Sequence, residues 1–208
     1  MLQIEMERVT EFNEDELNLL TDKALMPLKQ RISQKLEDML SELHTKLNTN
    51  VLDSKYDLPE SIFTQGPKIS KGENYQSYSY RVLDFPRHIQ QGDIFLFRSL
   101  ALWGHHFSFH LILSGSYLDT FGKKLYTFPK KYPAGFYWVT DETPWDWIYQ
   151  PQTYTPLNKM GKAEIEKAVN EQSFVKITCF LPLESYSKMQ KTGLQSWQFW
   201  QRVLFDKK

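Results

Sequence analysis

DIFLFRSLALWGHHFSFHLILS, residues 93–114, carries the strongest pair of strand-forming runs in the chain, separated around Trp103 and Gly104. Aromatic and branched side chains favour a pleated backbone, and a short interruption between two such runs marks a hairpin. The first run, 93–102, is apolar on both sides, which predicts a central strand covered on both faces. In the second, His105, Phe107, Phe109, Leu111 and Leu113 point one way and His106, Ser108, His110, Ile112 and Ser114 the other. That second set is the most polar stripe in an otherwise apolar region.

Outward from this hairpin, 77–85 is a Tyr-rich strand that Pro86 should end. Residues 136–140 and 173–181 supply two more strands, the latter stopped by Pro182. Gly122, Pro129, Pro133 and Gly135 punctuate a loop, and 143–156 reads as irregular. Upstream, Asn13 and Glu16 have the spacing of a capping box, with Phe12 and Leu17 at staple spacing. Leu25, Leu28, Ile32, Leu36, Met39, Leu40, Leu43 and Leu47 recur in steps of three and four, the signature of one helical face. Residues 48–74 read as a polar connection. Downstream, 162–171, 184–191 and 194–205 read as helices, the last two separated by Gly193. Trp197, Trp200 and Leu204 share the face that should dock the final helix.

Helices, then clustered strands, then helices favour an α+β fold over an alternating one. The expectation is one domain with a central antiparallel sheet of about five strands and helices packed on it. Its parts are a helical segment at 1–50, a sheet region at 75–181 and C-terminal helices at 183–206.

Composition narrows the function classes. Twenty-five Lys and Arg balance 25 Asp and Glu, so the basic excess expected of a general nucleic-acid binder is missing. Cys179 is the single cysteine, which excludes an internal disulfide and a multi-cysteine zinc site. Glu5, Glu7 and Arg8 stand where a secretory leader would need an apolar core, and no stretch is long enough to span a bilayer. A cytoplasmic location follows as the expectation. Neither common Gly-rich nucleotide-binding loop occurs, and no cofactor is indicated.

Three groups could carry chemistry. On a strand His106 and His110 share a face, with about 13 Å between their α-carbons, too far to grip one metal together; no metal site is expected. Arg87 and Arg98 could fork onto a carboxylate or phosphate, although Arg98 in a central strand first needs a partner such as Glu73 or Asp84. The hairpin register decides whether Arg98 meets the histidines. A two-residue turn separates Arg98 from His110, and a three-residue loop aligns them. Trp145 and Trp147, in a Pro-bounded loop, read either as a recognition patch or as a cover over one end of the core. No residue is assigned a catalytic role.

The phrases Lys68-Ile69-Ser70-Lys71-Gly72-Glu73-Asn74-Tyr75, Val82-Leu83-Asp84-Phe85-Pro86-Arg87 and Trp103-Gly104-His105-His106-Phe107-Ser108 resemble a family of uncharacterised bacterial proteins, mainly from Bacteroidetes. The resemblance covers about Lys68 to Leu118. It implies a bacterial cytoplasmic setting and gives no residue a catalytic role.

The leading expectation is a binding or accessory protein for a small anionic ligand or a partner protein. Its pocket would lie near Arg87, Arg98, His106, Ser108 and His110. An enzyme using a strand histidine as acid or base is the first alternative. A structural interaction domain acting through the N-terminal helix stripe and the Trp145–Trp147 loop is the second.

Overall fold

The computed structural model describes residues 11–128 and 130–208. The leader argument, which concerns residues 1–10, lies outside them. Contacts group the chain into two units, Met1–Lys35 and Leu36–Lys208. In the first, α1 (Glu14–Thr21) starts on the anticipated capping box: Asn13 Oδ1 accepts from the Glu16 amide and Glu16 Oε2 from the Asn13 amide, both at 2.9 Å. Phe12, Leu17, Leu19 and Leu20 are exposed. Helix α2 (Leu25–Leu52) begins in this unit, where Leu28 and Ile32 are also exposed.

The second unit holds the sheet. Its strands are β1 (Lys68–Tyr75), β2 (Tyr78–Gln90), β3 (Asp93–Leu102), β4 (His106–Ser114), β5 (Phe136–Val139), β6 (Tyr154–Pro156) and β7 (Phe174–Pro182). They form one antiparallel sheet in the order β1-β2-β3-β4-β7-β5-β6. Seven strands replace the five expected. The two additions are the edges, where one side of the strand faces no neighbour and polar residues cost nothing. β1 therefore has a mostly exposed, charged sequence that looks like a connection, and β6 is only three residues long.

Three further boundaries differ from the sequence reading. Strand β2 continues past Pro86 because a register shift between Asp84 and Arg87 accommodates a residue that cannot donate to the ladder. Helix α3 (Ser116–Thr127) occupies part of the presumed loop and buries Leu118, Phe121 and Leu125, with Gly122 inside it. Helix α5 (Met189–Leu204) runs straight through Gly193, preceded by a 3-10 segment at Leu183–Lys188. The remaining helix, α4 (Lys162–Glu171), falls where expected.

Alternation sorts the strand side chains between two layers. On one face Leu83, Phe95, Phe97, Phe107, Phe109, Leu111, Ile177 and Trp138 join Leu40, Leu43 and Leu47 of α2 and Trp197, Trp200 and Leu204 of α5 in the main core. Arg81 ties α2 to this sheet through Glu37 (3.0 Å) while also meeting Glu73 (3.1 Å). The opposite face carries a smaller cluster of Val82, Leu100, Leu102 and Trp147. No helix among the described residues is long and apolar enough to cross a membrane.

Gly193 shows why α5 lies so close to the sheet. A β-carbon built there would sit 2.7 Å from Phe109 Cε1 and 2.9 Å from Leu43 Cδ2, inside contact distance of two buried side chains. Gly193→Ala gains helix propensity of about 0.5–1 kcal/mol. Overpacking of this kind costs about 1–3 kcal/mol. The expected net result is a lower urea midpoint; a midpoint equal to or above the parent's would show that the interface yields freely.

Candidate functional site

The hairpin loop is Trp103-Gly104-His105, with Leu102 paired to His106, and this register sets Arg98 directly opposite His110. The neighbouring strands extend the row: Asp84 faces Arg98 from β2 and Thr178 faces His110 from β7. Four polar side chains thus cross four adjacent strands on one face, with His106, Ser108 and Lys176 beside them.

Each member of the row is bonded to another part of the protein. Arg98 donates from Nε to Asp84 Oδ1 (2.7 Å) and from Nη2 to Asp84 Oδ2 (2.9 Å), a two-pronged ion pair. His110 is 0 % exposed. Its Nδ1 lies 2.8 Å from the Thr178 hydroxyl and its Nε2 2.8 Å from the Ser108 hydroxyl. A neutral imidazole fits this site, one nitrogen donating and the other accepting. Burial, reinforced by the charges of Lys176 and Arg98, holds the His110 pKa well below its ordinary value.

A segment without regular structure, 140–153, covers this row. Trp145 and Trp147 stand over the Arg98 guanidinium, with ring centroids 5.0 and 5.4 Å away. Trp147 is buried and Trp145 half-buried, so both rings serve the covering role. The segment is gripped by its main chain. His106 Nε2 donates to the Trp147 carbonyl (3.2 Å), Lys176 Nζ to the Asp146 carbonyl, and the Trp147 amide to Tyr75 Oη (2.8 Å). Lys176 Nζ also lies 3.6 Å from Asp141 Oδ2, and burial lowers its pKa to about 8 against the pull of that carboxylate.

Arg87 is the exception in the predicted set. Beyond the bulge it pairs with Leu96, two residues from Arg98, so by register it belongs to the same face. It is half-buried, and its Nε is buried without a hydrogen-bond partner.

Two open concavities lie where the end of α2 meets α5 and the last residues. The bridge pairing Tyr56 with Lys207 fastens these segments, with the Asp57 amide donating to the Asp206 carbonyl and the Lys208 amide to the Lys55 carbonyl, both at 2.9 Å. Beside this clamp is a groove of about 650 Å³ lined by Lys55, Lys130, Lys131, Arg202 and Lys207 against Phe128, Phe199 and Phe205. Its one carboxylate, Asp206, already accepts from Lys124 Nζ at 2.7 Å. Adjoining the groove is a recess of about 550 Å³ with Asn50, Asp53, Ser54, Gln195, Gln198 and Gln201 in its wall. Lys55, Tyr56 and Arg202 border both.

Sequence alone does not reveal this region because its residues come from three distant segments, 50–56, 128–133 and 195–207. The only local hints are the doublets Lys130-Lys131 and Lys207-Lys208, which elsewhere are ordinary solvated charges. Among the described residues, no group of three or more His, Cys, Asp and Glu is placed to hold a metal. No family model matches the chain, and neither a curated protein nor a solved structure matches it.

Two outcomes follow for the polar row. Asp84→Ala leaves Arg98 charged and buried without its carboxylate, a defect that costs about 3–5 kcal/mol in comparable pairs. The double change Asp84→Ala with Arg98→Met should recover much of that loss in urea titrations, and failure to recover any would assign the loss to packing.

Burial lowers the His106 pKa from 6.5 to about 4, so the folded protein keeps this ring neutral while the unfolded chain protonates it near 6.5. Its contribution is therefore complete above the unfolded pKa and is lost as the pH falls toward the folded one. His106→Asn, which retains an N–H donor for the Trp147 carbonyl, should flatten the loss of unfolding free energy between pH 7 and pH 5. An unchanged slope would place the proton uptake on other groups.

Proposed function

We propose that the protein binds a small anionic ligand, and that the ligand sits in the groove between Lys55, Lys130, Lys131, Arg202 and Lys207. The carrying observation is five cationic side chains around one concavity whose single carboxylate is engaged by Lys124. In a chain of zero net charge this is a local concentration of one sign. Walls of low polarizability around such a cluster focus the field and draw anions toward it. Lysine supplies a compact charge and Arg202 a planar fork, the two donor geometries that phosphate and carboxylate accept.

The sheet face around Arg98 supports this reading less well. Asp84 neutralises Arg98, and both nitrogens of His110 are already bonded to hydroxyls, which leaves neither a free charge nor an acid–base vacancy. Arg87, with its unpartnered Nε, is the observation that favours a second location on that face.

Calorimetric titration with inorganic phosphate at low ionic strength separates the two. Lys130→Gln with Lys131→Gln should weaken binding about tenfold or more, in keeping with the loss of roughly 1.4 kcal/mol or more from two charges. Arg87→Gln should leave it unchanged. The reverse pattern would move the site to the sheet, and absence of heat with the parent protein at millimolar phosphate would end the anion reading.

A further inference from the structure

Resting on the anion reading, we infer that the ligand is a phosphorylated sugar, its phosphate in the basic groove and its hydroxylated body in the adjoining recess. The two concavities share Lys55, Tyr56 and Arg202, so one ligand can occupy both with its charge on one side of that border. What the second recess offers is unlike the first. Four carboxamides (Asn50, Gln195, Gln198 and Gln201) line it, with the Asp53 carboxylate and the Ser54 hydroxyl.

Carboxamides present a donor and an acceptor side by side, which suits a hydroxyl that must both give and receive a hydrogen bond. A carboxylate accepts from two neighbouring hydroxyls at once. Within this wall Gln201 is 2 % exposed, yet its Nε2 has no protein partner, and Asn50 Oδ1 is likewise buried and unpartnered. A donor and an acceptor withdrawn from solvent and left open cost free energy unless something bonds them. Both belong to residues that line the recess, and a rotation of either side chain into it on binding would let a sugar hydroxyl satisfy that group.

The aromatic rings argue against a nucleotide. Recognition of a flat base calls for an open ring face, but the Tyr56 ring carries Lys55 Nζ at 5.7 Å and the Phe199 ring the Arg202 guanidinium at 5.4 Å, while Phe128 and Phe205 are engaged with neighbouring rings, Phe199 at 5.9 Å and Phe121 at 5.3 Å. No tryptophan lines either concavity. A recess of about 550 Å³ accommodates a single monosaccharide with room for bridging water.

The test is calorimetric titration of the full chain with glucose 6-phosphate, ribose 5-phosphate, unphosphorylated glucose, adenosine monophosphate and inorganic phosphate. At least one sugar phosphate should bind ten times or more tighter than inorganic phosphate, and glucose alone far more weakly. Gln195→Ala with Gln198→Ala, both exposed and so tolerable to the fold, should reduce sugar-phosphate affinity toward that of inorganic phosphate. Gln201→Leu should do the same, with circular dichroism confirming that the variant folds. If inorganic phosphate binds and neither sugar phosphate gains on it, the inference fails while the anion reading stands. Tighter binding of adenosine monophosphate also overturns the inference, and no binding of any phosphate overturns both.

Discussion

A guanidinium placed mid-strand in a sheet covered on both faces must be neutralised where it stands, because little water reaches it. Arg98 meets that demand through Asp84, directly across on the next strand. The rest of the face follows from the same requirement. His110 is opposite Arg98 and cannot carry a second positive charge there, so it stays neutral between two hydroxyls. The tryptophans then close the remaining side of the cation with π faces, which need no hydrogen bond in return. Such a row favours one strand register: a slip of one residue would carry Arg98 and His110 into the aromatic core.

This division of labour leaves the two halves of the molecule chemically distinct. Around Arg98 the sheet face spends its polar groups on one another, whereas the junction of α2, α5 and the chain's last residues collects a cluster of cations and amides around open space. In proteins generally, ligands are recognised by groups of the second kind, since binding replaces water at sites the fold has not already filled.

The sequence made the inner strands legible and the edges obscure, for a physical reason. Residues 93–114 alternate between two buried environments, and burial is what hydrophobic patterning records. β1 has no comparable constraint on its outer side, so KISKGENY carries little periodic signal. Gly122 and Gly193 misled in a related way. Read alone, each suggests a break, but Gly122 would meet Val169 at 2.7 Å if it bore a β-carbon, and Gly193 would meet Phe109. Both are small because helices pack closely there, a fact held in the partner element. The Arg98–His110 alignment was reducible to a loop length, while the groove at Lys55, Lys130 and Arg202 depends on segments that only the tertiary fold brings together.

The segment 140–153 is attached chiefly through its own backbone: His106 and Lys176 take hold of carbonyl oxygens and Tyr75 receives an amide. An attachment of that type is indifferent to which side chains the segment displays outward. Positions such as Glu142 and Gln150, both exposed, are thereby free to be exchanged without loosening the seat, making this cover a natural place to graft new surface chemistry onto an unaltered frame.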